Sequence, residues 1–80
     1  MNTETYSKFN EDMFEGNYLI ACVKCATDHK DLQKYRELFD NLTLCLNSPD
    51  RFHTKKQKFF IEKIIEKFNE TFRMKIEELK

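Results

Sequence analysis

Only one glycine and one proline occur in this 80-residue sequence, and they limit the folds open to it. Glycine and proline are the strongest local breakers of helices, so Gly16 and Pro49 mark the two places where a break is indicated. Two breaks divide the chain into three segments, each of which can be tested for helical spacing of its apolar residues.

The first segment, TETYSKFNEDMFEG, has the pattern of a short helix. Thr3 is a candidate N-cap, and Gly16 stands where a helix commonly ends in a left-handed residue. The apolar residues between them recur at nearly helical spacing and are Tyr6, Phe9, Met13 and Phe14. We therefore predict a helix that ends at Gly16.

Residues 17–47 contain neither glycine nor proline and repeat a mostly apolar position every seven residues. The repeat is formed by Tyr18, Cys25, Leu32, Phe39 and Leu46. Such a repeat is typical of one continuous helix, here about 45 Å long at about 1.5 Å per residue. The alternative is a break at TDHKD, residues 27–31, where Thr27 or Asp28 would cap a new helix. We favour the continuous helix because TDHKD lacks glycine, proline and asparagine, the stronger turn residues.

The third segment begins with a helix initiation signal, NSPD. Ser48 is a candidate N-cap, Pro49 suits the first helical position, and Asp50 lies beside the positive helix end. An apolar stripe follows at helical spacing and consists of Ile61, Ile64, Ile65, Phe68, Phe72, Ile76 and Leu79. The segment is therefore predicted to be a second long helix.

The predicted fold is all-α and forms a single domain over residues 1–80. A short N-terminal helix precedes an antiparallel hairpin of two long helices, which becomes a three-helix bundle if the second helix breaks near residues 27–31. A hairpin that turns at residue 48 predicts which residues meet across its helices. The expected neighbours are Phe39 with residue 57, Leu32 with Ile64, and Cys25 with Phe72.

The stretch CVKCATDH contains the residue types of a zinc site. On a continuous helix Cys22, Cys25 and His29 fall within an arc of about 60° and share one face. A fourth ligand is missing, because Cys45 lies roughly 30 Å further along the same helix. No strand precedes the two cysteines, as a redox CxxC pair would require. We therefore expect buried cysteines that act as small apolar residues, with no metal and no cofactor.

An enzymatic role is not expected either. Asp50 and His53 are spaced so that one could orient the other, but no nucleophile and no glycine-rich phosphate loop accompany them. An odd number of cysteines and no charged-then-apolar leader indicate an intracellular, cytoplasmic protein. No run of about 18 apolar residues is present, so a membrane is not an expected partner.

A nucleic-acid-binding role is the alternative function. Fourteen basic and fourteen acidic residues cancel overall, but RFHTKKQK, residues 51–58, contains no acidic residue. Its basic residues are Arg51, Lys55, Lys56 and Lys58. Phenylalanines flank them, and such surfaces attract phosphate and stack on bases. The same charges also fit a solvated helix face above buried phenylalanines, and the zero net charge favours that interpretation.

A protein-interaction role is the favoured function. A short first helix would cover only half of the hairpin, so apolar residues near residue 48 would remain uncovered. This candidate partner-binding face consists of Tyr35, Phe39, Leu42, Leu46, Phe52, Phe59 and Phe60. A second copy or a groove on another protein would cover it. We therefore expect a small regulator, inhibitor or assembly subunit, acting as a homodimer or on another protein.

Overall fold

The computed structural model describes residues 3–49 and 51–80, with side chains from Lys8 onward. Three helices form in this part of the chain: α1 over Thr3–Cys25, α2 over His29–Leu46 and α3 over Lys55–Glu78. No strand occurs among the described residues. The predicted all-α class is confirmed, in the form of the three-helix arrangement.

The helices run up, down and up along one elongated bundle. Phe39 of α2 stacks on Phe68 of α3, and Leu46 shares a cleft with Ile61, so α2 and α3 are antiparallel. Residues near the start of α1 line a groove with residues near the start of α3, which makes these two helices parallel. The bundle measures 47 × 18 × 18 Å. Its width of 18 Å is the thickness of two helices side by side.

The predicted continuous helix over residues 17–47 is wrong. The chain leaves α1 after Cys25, and Asp28 has extended backbone angles, with φ −147° and ψ 167°. The Asp28 carboxylate accepts the backbone N–H of Asp31 at 2.8 Å, so it caps α2 as the alternative break at residues 27–31 predicted. Ala26 is buried at this corner. The break lets α2 fold back along α1, which buries apolar surface that one long helix would leave in water.

The predicted helix end at Gly16 is also wrong, because Gly16 lies inside α1. Its role is close packing between helices. A Cβ atom placed on Gly16 would come within 2.5 Å of Ile64 Cδ1 and 3.6 Å of Leu42 Cδ2. Since real Cβ atoms do not approach so closely, the absence of a side chain lets α1 lie directly against α3 and α2.

This contact predicts a coupling between Gly16 and Ile64. Alanine inside a helix is more favourable than glycine by about 0.5–1 kcal/mol, but the new methyl group meets Ile64 Cδ1. We expect Gly16→Ala to raise the free energy of unfolding by about 1 kcal/mol in an Ile64→Val background, and to give no gain in the wild type. Urea unfolding of the four proteins of the double-mutant cycle measures this. Equal effects in both backgrounds would contradict the packing role.

The predicted start of α3 at Ser48 and Pro49 is wrong. The helix begins six residues later than Pro49, at Lys55, with Thr54 as N-cap. The Thr54 hydroxyl accepts the Gln57 N–H at 3.1 Å, and the Gln57 side chain accepts the Thr54 N–H at 2.9 Å. This reciprocal pair satisfies two free N–H donors, whereas a serine N-cap satisfies one. Asp50, the third residue of the predicted signal, lies outside the described residues.

The later start of α3 changes which residues of α2 and α3 face each other. Phe39 lies against Phe68, with ring centroids 3.9 Å apart and planes within 2°, and not near residue 57. The predicted pairing of Leu32 with Ile64 belongs to the same incorrect register, and Cys25, predicted to meet Phe72, ends α1 in an exposed position. The core that results consists of Phe9, Leu19, Ile20, Val23, Ala26, Leu32, Phe39, Leu42, Leu46, Ile61, Ile64 and Phe68.

Candidate interaction surfaces

The predicted partner-binding face is divided between the core and the surface. Phe39, Leu42 and Leu46 are at most 5% exposed, so the expectation that they lie uncovered is wrong. Tyr35 is half-buried against the core. The physical reason is the position of the first turn. Because α1 continues past Gly16 to Cys25 before the chain reverses, Gly16 lies against Leu42 and the first half of α1 runs along the end of α2. Of the predicted face, Phe52, Phe59 and Phe60 remain exposed, with Phe52 at 83%.

Two of these accessible phenylalanines pack together on α3. Phe59 and Phe60 meet edge to face, with ring centroids 6.0 Å apart and planes at 68°. The Lys63 ammonium lies 5.5 Å from the centre of the Phe59 ring, within the range of a cation–π interaction. The side chains therefore form an organised cluster of aromatic and basic groups on the outside of the bundle.

The cluster extends along α3 at helical spacing. At about 100° per residue, five exposed side chains fall within an arc of about 100°. We call them the basic aromatic surface, and they are Lys56, Phe59, Phe60, Lys63 and Lys67. Beside this surface, a groove of about 380 Å³ between α1 and α3 is lined by Phe9, Met13 and Ile64. The surface therefore combines apolar area with three positive charges.

The predicted nucleic-acid set does not form one surface. Arg51 forms an ion pair with Asp12 of α1, and the two side chains are only 20% and 18% exposed. Lys55, Lys56 and Lys58 are exposed but spread over about 160° around the first turn of α3. Of the predicted set, only Lys56 belongs to the basic aromatic surface. Lys63 and Lys67 were missed, although their spacing of seven and eleven residues from Lys56 was a usable signal.

A second exposed aromatic surface lies on α1. Phe14 is 75% exposed and Tyr18 is 61% exposed, and the exposed carboxylates of Glu11 and Glu15 flank them. The four residues fall within an arc of about 100° and form what we call the acidic aromatic surface. Its centre lies about 140° around the helix from the core-facing residues, which are Phe9, Leu19, Ile20 and Val23.

Because of the rings of Phe14 and Tyr18, α1 carries apolar side chains on two faces. The sequence interpretation placed Phe14 and Tyr18 in helix patterns without separating an inner from an outer face. The missed signal is a second periodic series, because residues 14, 18, 21 and 25 alternate spacings of four and three. A helix that packs only against the other helices of its own bundle would carry one such series of apolar residues.

Tyr18 of this surface and Tyr35 of α2 both lie near Cys22, between α1 and α2. A hydrogen bond with the Cys22 side chain raises the pKa of Tyr18, and the charge of a Cys22 thiolate and burial act in the same direction. Burial raises the pKa of Tyr35, assisted by the negative charges of Cys22 and Asp31. Both phenols therefore stay neutral near pH 7 and retain hydroxyls that can donate and accept hydrogen bonds.

The three cysteines are free and are not the buried residues that the sequence predicted. Cys22 is half-buried, whereas Cys25 and Cys45 are exposed. The break at residues 26–28 also separates His29 from the helix that carries Cys22 and Cys25. Among the residues that the structure describes, no group of three or more His, Cys, Asp or Glu side chains is placed to hold a metal ion.

His53 lies in the segment between α2 and α3 and contacts both α2 and α1. Its Nε2 atom lies 3.0 Å from the carbonyl oxygen of Leu46, and its ring packs against Phe9 with centroids 6.0 Å apart. The Nδ1 atom is buried without a hydrogen-bond partner in the described part of the chain. A cleft of about 290 Å³ beside it is lined mainly by residues of the connecting segment and α3. His53 therefore contributes to packing, and Asp50, its predicted companion, lies outside the described residues.

None of the described helices is both long and apolar enough to cross a membrane. No protein-family model, no curated protein and no solved structure matches this chain. The acidic aromatic surface of α1 and the basic aromatic surface of α3 are therefore the features of the molecule that bear on its function.

Proposed function

We propose that this chain is a small non-enzymatic protein-interaction module, a regulator, inhibitor or assembly subunit that binds through its exposed aromatic helix surfaces. The observation that carries this proposal is the outer face of α1, where Phe14 and Tyr18 are exposed while the opposite face of the helix fills the core. The favoured binding face therefore differs from the predicted one, which combined residues of α2 with Phe52, Phe59 and Phe60.

The energetics of aromatic side chains favour a binding role for this face. Burying a large apolar side chain contributes about 1.5–3 kcal/mol, so Phe14 and Tyr18 together hold a useful share of the free energy of a moderate complex. Tyrosine is also common at binding hot spots, since an apolar ring and a hydroxyl occupy one rigid side chain. The neighbouring carboxylates of Glu11 and Glu15 would form a polar rim around the two rings.

A site-specific photocrosslinker at position 14 tests the proposal in cells that produce the protein. Benzoylphenylalanine at position 14 keeps an aromatic side chain and adds a photoreactive benzoyl group, and we expect a discrete covalent adduct with a protein, either another copy or a different chain. The adduct should be lost when Tyr18→Ser is added, because half of the aromatic area is removed. Gel mobility and mass spectrometry of the adduct give the result.

The matched control places the same crosslinker at Leu44, which is 71% exposed but lies outside both aromatic surfaces. Any adduct that depends only on exposure would form from both positions. Identical adduct patterns from positions 14 and 44, or an adduct that persists with Tyr18→Ser, would contradict a binding role for the acidic aromatic surface.

The second candidate function is nucleic-acid binding, now through the basic aromatic surface. Its supporting observation is that Lys56, Lys63 and Lys67 share one face of α3 with two exposed phenylalanines. Binding of generic RNA or DNA by this face would weaken steeply with salt and would depend on Lys63 and Lys67 but not on Lys55 and Lys58. Lack of binding at low salt would eliminate this candidate.

A further inference from the structure

The two aromatic surfaces share the same residue spacing and have opposite charge. On α1 the order is Glu11, Phe14, Glu15, Tyr18, and on α3 it is Lys56, Phe59, Phe60, Lys63. Both sets follow the spacing i, i+3, i+4, i+7, which places two aromatic rings beside two charged groups on one helix face. Lys67 adds one further positive charge to the α3 surface.

One molecule cannot bring its own two surfaces together. The α1 residues that line the groove toward α3 are Phe9, Met13 and Asn17. The centre of the acidic aromatic surface lies about 150° around α1 from those residues, so it points away from α3. Among the described residues, Glu11 and Glu15 form no ion pair, and Lys63 pairs only with the exposed Glu66 at 3.8 Å.

We propose that the acidic aromatic surface of one copy binds the basic aromatic surface of a second copy. This inference rests on the proposed function and names the partner of the same surface. The rings of Phe14 and Tyr18 pack against those of Phe59 and Phe60, and the carboxylates and ammonium groups face each other at the rim. Charge complementarity selects this pairing, because like surfaces in contact would repel.

The contact is heterologous, since it joins two different surfaces. An open assembly therefore keeps one free acidic aromatic surface at one end and one free basic aromatic surface at the other. Copies add head to tail until a ring closes or an open chain forms. Association should increase with protein concentration. It should also weaken as salt shortens the Debye length from about 10 Å at 0.1 M to about 3 Å at 1 M.

Charge reversal on exposed residues tests the pairing without disturbing the core. The first variant carries Glu11→Lys and Glu15→Lys, and the second carries Lys63→Glu and Lys67→Glu. We expect each to weaken self-association by at least about tenfold, since like charges then face each other. Sedimentation velocity over a range of protein concentrations measures association, and circular dichroism verifies that each variant keeps its helices.

Two matched variants separate the specific contact from the effect of net charge. Lys55→Glu with Lys58→Glu changes the net charge as much as the second variant but lies outside both surfaces, so it should still associate. A chain with all four surface reversals has the wild-type net charge of zero and exchanged surfaces. We expect it to associate within about threefold of the wild type, because the complementary pairing is restored.

Three results would overturn this inference: a wild type that remains monomeric at high concentration, a fourfold variant that stays monomeric, or equal losses from the Lys55 and Lys58 reversals. Failure here is distinguishable from failure of the proposed function. A monomeric wild type that still crosslinks from position 14 to a different protein leaves the proposed function standing and excludes the second copy. Loss of all adducts from position 14 contradicts both.

Discussion

Replacing Phe68 with alanine should lower the free energy of unfolding by about 3–5 kcal/mol. The side chain is 0% exposed, and its ring stacks on Phe39 at 3.9 Å and lies 5.9 Å from Phe72. Alanine would remove these contacts and leave a cavity between α2 and α3. Because small domains have only about 5–15 kcal/mol of stability in total, this loss is a large part of the whole. Urea unfolding followed by circular dichroism measures it.

The matched control is Phe52→Ala, which removes the same atoms from a side chain that is 83% exposed. We expect this variant to unfold within about 0.5 kcal/mol of the wild type. Phe39→Glu should unfold the bundle, since it places an unpaired charge against Phe68. A Phe68→Ala variant that loses less than about 1 kcal/mol, or a folded Phe39→Glu protein, would contradict the stacked core.

Much of the α3 side of the core was predictable from sequence, whereas the role of Phe39 was not. Ile61, Ile64 and Phe68 follow one helical stripe, and all three are buried as expected. The seven-residue repeat identified Phe39 as apolar and periodic, but periodicity is the same for a face buried inside the chain and for one buried by a partner. The length of α1 decides whether Phe39 is buried inside the chain or by a partner. That length was misjudged because Gly16 was interpreted as the end of the helix, whereas in the structure it is a close contact between helices.

The two exposed aromatic surfaces were only partly predictable for a related reason. Phe59, Phe60 and Lys56 were identified in the sequence, and helical spacing alone groups them with Lys63 and Lys67. That this face of α3 is exposed depends on how α3 packs in the bundle. The acidic aromatic surface required knowing which face of α1 is inward, and that depends on contacts with helices far away in sequence. Local patterns indicate that a helix has two apolar faces, and only the packed bundle shows which one remains exposed.

The break between α1 and α2 predicts an unusual tolerance for proline. His29 is the first residue of α2, where the backbone N–H has no acceptor within the helix and the φ angle of proline fits. The preceding residue, Asp28, has φ −147° and ψ 167°, the extended conformation that proline requires before it. We therefore expect His29→Pro to change the free energy of unfolding by less than about 1 kcal/mol. Chemical denaturation of the purified variant measures this.

Gln33→Pro is the control, because Gln33 is also exposed but lies inside α2. Proline there removes a helical hydrogen bond and clashes with the preceding turn, so about 3 kcal/mol or more should be lost. On one continuous helix over residues 17–47, His29 would be an interior position and both variants would be equally damaging. Equal losses of unfolding free energy would therefore support one continuous helix. A much smaller loss for His29→Pro would support a start of α2 at His29, with α1 packed over Phe39.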